Sequence, residues 1–175
     1  MSVRLYAELA VAIALAAVLD LISKSLPLPR LPYGGSISLR ALPILIIAFR
    51  HGTRAGVMAG GGYGVVDFLI HPVFVHPIQL LLDYPIALGT LGCAGWVRGQ
   101  RAVLSRGQIV LGILLGCGLR LTAHFISGIV FFAQFAPAGQ PGWQYSLSYN
   151  SAYMVPETII LIVLAPLIMR RMQGQ

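Results

Sequence analysis

The sequence predicts an all-α integral membrane protein, a six-transmembrane-helix bundle, and three observations carry that expectation. Hydrophobic residues make up 57% of the 175 residues and charged residues only 10%, with a mean hydropathy of +0.82, which lies outside the range of ordinary soluble domains. The apolar residues fall into six stretches, 5–22, 37–49, 55–70, 77–97, 109–132 and 149–169. A crossing takes roughly 20 mostly apolar residues, so a chain of this length supplies about six and is expected to form a single membrane domain over 1–175.

The first stretch carries Glu8 and Asp20 and has no small-residue cleavage pattern after it, so it reads as a permanent helix rather than a removable leader. Its Ala7, Ala10, Ala14 and Ala17 form a small-residue stripe, which lets another helix approach closely, either within the bundle or on a partner protein. The second stretch is short for a crossing, and the third follows after only Arg50, His51, Gly52, Thr53 and Arg54, so the two are expected to form a tight hairpin. Gly52, Gly56, Gly60 and Gly64 then repeat at four-residue spacing, a smooth ridge suited to packing inside the bundle.

In the fourth stretch Gln79 and Asp83 stand one helical turn apart and share a face, with Tyr84 beside them. In the fifth, Arg120, His124, Gly128 and Phe132 line one stripe: a cation, an imidazole, a gap and an aromatic ring. The sixth opens with Tyr145, Ser146, Tyr149, Asn150, Tyr153 and Glu157, a polar and aromatic entry to an apolar span. The two long connections, 27–36 and 136–148, contain Tyr33, Trp143 and Tyr145 and are suited to forming a lid.

The formal charge of +7 is spread between the apolar runs, without the basic stripe that binds nucleic acid. It reads instead as a topology signal. Arg4, Arg50, Arg54, Arg98, Arg101, Arg106, Arg170 and Arg171 on one side outweigh Lys24, Arg30 and Arg40 on the other, which predicts cytoplasmic termini and outward-facing long loops. His71 and His76 bracket a Pro-containing turn on the outer side and read as solvated.

All five acids, Glu8, Asp20, Asp67, Asp83 and Glu157, lie in or at the edge of apolar segments, where a charge must be paired, protonated or functional. Arg120 and Glu157 read as neutralising one another. Asp83 has no basic residue near it in its own helix and is the functional candidate, suited to a cationic ligand. His124 has no second ligand at the spacing a metal needs, and Cys93 and Cys117 read as packing residues, so no metal site is expected. There is no phosphate-binding loop, G-x-S-x-G or H-E-x-x-H motif. If the protein moves a solute uphill, energy would therefore enter through a partner or an ion gradient. A haem-binding membrane anchor using His124 and another histidine is the alternative from a different class, and a self-sufficient ion-coupled carrier is a third.

Several blocks in order resemble one family. They are Gly34-Gly35-Ser36-Ile37-Ser38-Leu39 before Leu42-Pro43-Ile44, Ala48-Phe49-Arg50-His51-Gly52, and His76-Pro77-Ile78-Gln79 leading to Leu82-Asp83-Tyr84-Pro85. His124-Phe125-Ile126-Ser127-Gly128 and Tyr145-Ser146-Leu147-Ser148-Tyr149-Asn150 complete the set. Over nearly its full length the chain resembles the ThiT family, the thiamine-specific substrate-binding (S) components of energy-coupling-factor (ECF) transporters.

The resemblance implies a prokaryotic plasma-membrane protein, not an enzyme, that captures thiamine from outside in a pocket beneath the first and fifth loops. It implies no cofactor of its own: a membrane scaffold subunit and two ATPase subunits would use the ATP, with Ala10 and Ala14 docking on the scaffold and the whole component toppling in the membrane. Carried over by position, the pocket would comprise Asp83, Tyr84, His124, Gly128, Phe132, Tyr145 and Asn150, with Gln79 and Tyr33. Asp83 would meet the ligand's charge or a ring nitrogen, Phe132 would stack, and Tyr84, His124, Tyr145 and Asn150 would supply polar recognition. Glutamate is common in the family where Asp83 stands and tryptophan where Phe132 stands, and a first-loop tryptophan has no counterpart, with Gly34 near its place and Tyr33 as substitute. These departures bear on affinity more than on ligand class, and a precursor such as the pyrimidine alone stays open.

Overall fold

A computed structural model describes residues 2–27, 31–99 and 103–174; Arg30 and Arg101, counted above as topology signals, lie outside the described residues. Six helical segments follow one another: α1 Val3–Ser25, α2 Ala41–His51, α3 Thr53–Ile70, α4 Pro77–Arg98, α5 Arg106–Phe131 and α6 Gly142–Met172. No strand occurs among the described residues. Four of the six, α1, α4, α5 and α6, are long and apolar enough to cross a membrane. The 11 residues of α2 rise about 16 Å, and the glycines of α3 dilute its apolarity.

Local chemistry sets most boundaries. The Ser2 side chain caps α1 by accepting from the Leu5 amide, and Ser105 with Gln108 forms a capping box at the start of α5. The α2–α3 hairpin turns at Gly52, whose φ of 88° favours glycine. His76 caps α4 through the Ile78 amide, and Pro77 occupies the first turn, where a missing N–H costs nothing. Within α4 the turn Leu82–Ile86 is π-helical and contains Pro85; proline cannot donate the usual helical bond, and the widened turn accommodates it.

The last helix departs from expectation. Residues 142–148, assigned above to a loop, belong to α6, which begins directly after Pro141. Tyr145 and Ser146 therefore project from a rigid element, and the connection from α5 is shorter, with a 3-10 turn at Ala133–Phe135.

The glycine ridge of α3 packs internally, against α4. A Cβ on Gly60 would fall on the Leu88 carbonyl, one on Gly64 would lie 2.5 Å from the Tyr84 oxygen, and one on Gly56 would lie 2.7 Å from Gly92. Such contact brings the α4 backbone, with its π turn, directly onto α3. On α1 the opposite holds: Ala12 and Ala16 are buried, whereas Ala7, Ala10 and Ala14 are exposed. Apolar side chains such as Val11 and Leu15 on α1 and Val155, Ile159 and Val163 on α6 are also exposed, as a lipid-facing surface requires.

Arg4, Arg50 and Met172 border one lateral groove, so the N-terminus, the α2–α3 turn and the C-terminal end of α6 gather at one end of the bundle. The end of α1, the start of α4 and the start of α6 gather at the other, around the cavity described next.

Candidate functional site: a polar and aromatic cavity

A cavity of about 750 Å³, counting its solvent-open part, lies among α1, the first loop, α3, α4, α5 and α6. Tyr33, Gln79, Asp83, Tyr84, His124, Gly128, Phe132, Tyr145 and Asn150 all line it, so the structure brings together every residue named from the sequence for the pocket.

The α4 wall is ordered by Gln79. Its side chain is buried, accepts from the Val75 amide at 3.0 Å, and donates both to the Val73 carbonyl at 3.2 Å and to Asp83 Oδ2 at 2.8 Å. The other Asp83 oxygen lies 3.1 Å from His124 Nδ1 on α5. The π turn carries this carboxylate, and such turns recur at functional sites because they redirect side chains without ending the helix. Asp83 lies in the second turn of α4, near its start.

Tyr84 is buried, and its hydroxyl accepts from the Val73 amide and donates to the His71 carbonyl, both at 2.8 Å. The hydroxyl assigned above to polar recognition is thus engaged with the α3–α4 connection, and its ring forms the wall. Asn150 is similarly committed: its Nδ2 donates to the Ser146 carbonyl at 2.9 Å, and its Oδ1 accepts from Tyr153 at 3.0 Å. The gap expected beside Gly128 is filled on the α6 side, because a Cβ there would fall on the Ser146 hydroxyl.

Aromatic rings surround the rim. Phe132, one residue past the end of α5, lies 5.9 Å from Tyr33 of the first loop, and Tyr33 lies 4.6 Å from Phe135. Tyr145, Tyr149 and Tyr153 follow one face of α6 with successive ring separations of 6.0 and 6.1 Å. These π faces and the Asp83 carboxylate create an environment suited to a flat, positively charged ligand.

Sequence reasoning left out the wall formed by α1, Arg40 just before α2, and α3. Arg40 is buried and reaches Asp20 at 3.4 Å and Asp67 at 3.1 Å, while Lys24 reaches Asp20 at 2.7 Å and His71 Nδ1 at 3.0 Å. Lys24 and Arg40, counted above only as topology signals, therefore line the cavity. His71, expected to be solvated, is held by Asp67 at 3.3 Å, whereas His76 is exposed and stacks on Phe131 at 5.1 Å. Helical spacing carried two signals for this wall, since Asp20–Lys24 and Asp67–His71 are each four residues apart. Ligand atoms of Asp20, Asp67 and His71 lie within 4.8 Å of one another, but Arg40 and Lys24 occupy those carboxylates, and a metal ion would have to displace them.

Below the cavity Arg120 and Glu157 pair at 2.7 Å, each 1% exposed, the mutual neutralisation read from the sequence. Glu8 is held by Arg4, Arg50 and His51. Among the described residues, Asp83 is thus the acid whose ion-pair partner is neither lysine nor arginine, but a histidine that carries charge only when protonated.

Comparisons with known proteins agree with this architecture. The family model for thiamine transporter protein (Thia_YuaJ) matches residues 6–174. Thiamine transporter ThiT of Bacillus subtilis (strain 168) is 42% identical over 165 residues, covering 89% of this chain and 85% of the relative. Thiamine transporter ThiT of Lacticaseibacillus paracasei is 32% identical over 134 residues, covering 70% of this chain and 67% of that protein. A solved structure of ThiT from Listeria monocytogenes superposes with a TM-score of 0.81, covering 96% of this chain and 94% of that one at 23% identity, and establishes the shared fold. With its helical membrane architecture and a match running from Tyr6 to Gly174, the chain belongs to the thiamine transporter protein (Thia_YuaJ) family.

Proposed function

We propose that this protein is the thiamine-capturing S component of an ECF-type importer, a binding subunit rather than an enzyme. The observation that carries the reading is Asp83, a carboxylate without a lysine or arginine partner among the described residues, set in an aromatic cavity. Thiamine joins a permanently cationic thiazolium to an aminopyrimidine. The carboxylate and the rings of Phe132 and Tyr145 suit the first, and the His124 imidazole, with the second lone pairs of the Gln79 and Asn150 side-chain oxygens, suits the second. Tyr33 covers the ligand, and Tyr84 and Gly128 shape the wall.

The chain forms a single membrane domain in a prokaryotic plasma membrane, with both termini cytoplasmic and α2 and α3 completing a six-span bundle. Support for this orientation comes from the basic residues: Arg4, Arg50, Arg54, Arg98, Arg106, Arg170 and Arg171 lie toward the end holding the termini, the pattern of a cytoplasmic face. The cavity then opens outward. The exposed Ala10 and Ala14 give α1 a smooth outer face for a membrane scaffold subunit, which would be joined by two ATPase subunits. No cofactor is needed for capture.

Calorimetric titration of the detergent-purified protein with thiamine tests the reading. Saturable one-to-one binding without turnover is expected, and absence of a heat of binding would remove thiamine as the ligand.

A further inference from the structure

The first loop rests on α6 through Tyr149, a side chain to which neither the sequence nor the proposed ligand contacts gave a role. Leu31 and Gly35 close the loop with an amide-to-carbonyl bond of 2.8 Å. Between them Tyr33 and Gly34 have φ values of 60° and 93°, a left-handed pair that is uncommon for a tyrosine and needs surrounding structure to hold it. The Tyr149 hydroxyl supplies such a hold: it donates to the Pro32 carbonyl and accepts from the Gly35 amide at 3.0 Å. Its two bonds therefore grip the backbone on either side of Tyr33 and Gly34.

Packing marks the same point. A Cβ on Gly35 would lie 2.7 Å from the Tyr149 hydroxyl oxygen and 3.1 Å from Tyr153. Gly35 itself has φ −64°, which any residue can adopt, so glycine is needed there for the close approach and not for the backbone. Tyr33, held in this way, places its ring against Phe132 and Phe135 at the rim.

We infer that Tyr149 is a positioning residue: by fastening the first loop to α6 it sets Tyr33 over the cavity and governs how fast a bound ligand leaves. The residence-time part rests on the thiamine-binding reading above, whereas the fastening does not.

Hydrogen exchange on the ligand-free protein tests the fastening first. In Tyr149→Phe the amides of 33–36 are expected to exchange roughly tenfold faster, while amides in the middle of α5 stay protected and report an intact fold. Unchanged exchange at 33–36 overturns the inference whether or not thiamine binds. Gly35→Ala is expected to produce a similar acceleration, and the double variant no more than either single one; fully additive effects contradict a shared contact. Thiamine dissociation from Tyr149→Phe is expected to be roughly tenfold faster, with association changed far less. Faster exchange with unchanged dissociation overturns the control of residence time. No thiamine binding by the wild-type protein defeats the functional reading and its residence-time consequence, while the exchange experiment still decides the fastening.

Discussion

Two polar walls line the same cavity and handle charge in different ways. The wall from α1 and α3 holds two aspartates, and both are answered by Arg40, just before α2, with Lys24 added at Asp20. The wall from α4, α5 and α6 holds one, Asp83, met by an amide and an imidazole. A charge away from water is tolerated when it is paired and hydrogen-bonded. The first wall pairs its charges internally, although Asp20 Oδ1 and Arg40 Nε have no hydrogen bond, and ties the surrounding helices together. The second leaves a negative charge for which a cationic ligand can supply the counter-charge, and on the proposed reading the two aspartate environments separate architecture from recognition.

Substitutions on the two walls should therefore separate stability from binding. The largest effect is expected from Arg40→Met, which leaves Asp67 with only His71 and weakens the hold on Asp20. Breaking a buried ion pair from one side costs about 3–5 kcal/mol, read as a lowered unfolding temperature in detergent. A negligible shift would show that the first wall is not a tie.

Asp83→Asn is expected to do the reverse. Its carboxylate has no lysine or arginine to strand, so stability should change by less than about 1 kcal/mol. Thiamine affinity should fall by about 2–4 kcal/mol, roughly 30- to 1,000-fold, as measured by calorimetry. Large destabilisation with little loss of affinity would merge the two walls into one structural network.

The smallest effect sharpens the aromatic side of the second wall. Phe132→Trp offers a larger ring with stronger cation attraction and should tighten thiamine binding by about 0.5–1 kcal/mol. Unchanged or weaker affinity in a folded variant would mean that the ring at 132 does not meet the cationic part of the ligand.

Hydropathy and local spacing made the second wall readable in the sequence. Gln79 with Asp83, and Arg120 with His124 and Gly128, lie along single helix faces where four-residue spacing predicts neighbours. The first wall was less legible because its hub, Arg40, finds partners through tertiary folding: Asp67 is 27 residues away in sequence. Helix boundaries failed where hydropathy loses contrast. The polar residues 142–148 looked like a loop, although Pro141 immediately before them was a usable start signal. Tyr149 appeared in the family motif, yet its bond to a loop more than 100 residues earlier leaves no trace in spacing. The π turn at Asp83 was hidden for a related reason: Pro85 warns of a distortion, but whether the helix breaks, kinks or widens depends on what packs against it.

The most direct test compares thiamine with its uncharged aminopyrimidine half, titrated into wild-type protein and Asp83→Asn by calorimetry. If the Asp83 carboxylate serves the cationic ring, the wild-type protein prefers thiamine by at least roughly 30-fold, and the substitution erases most of that preference. A preference that survives intact in Asp83→Asn would contradict the assignment of Asp83 to the ligand's charge.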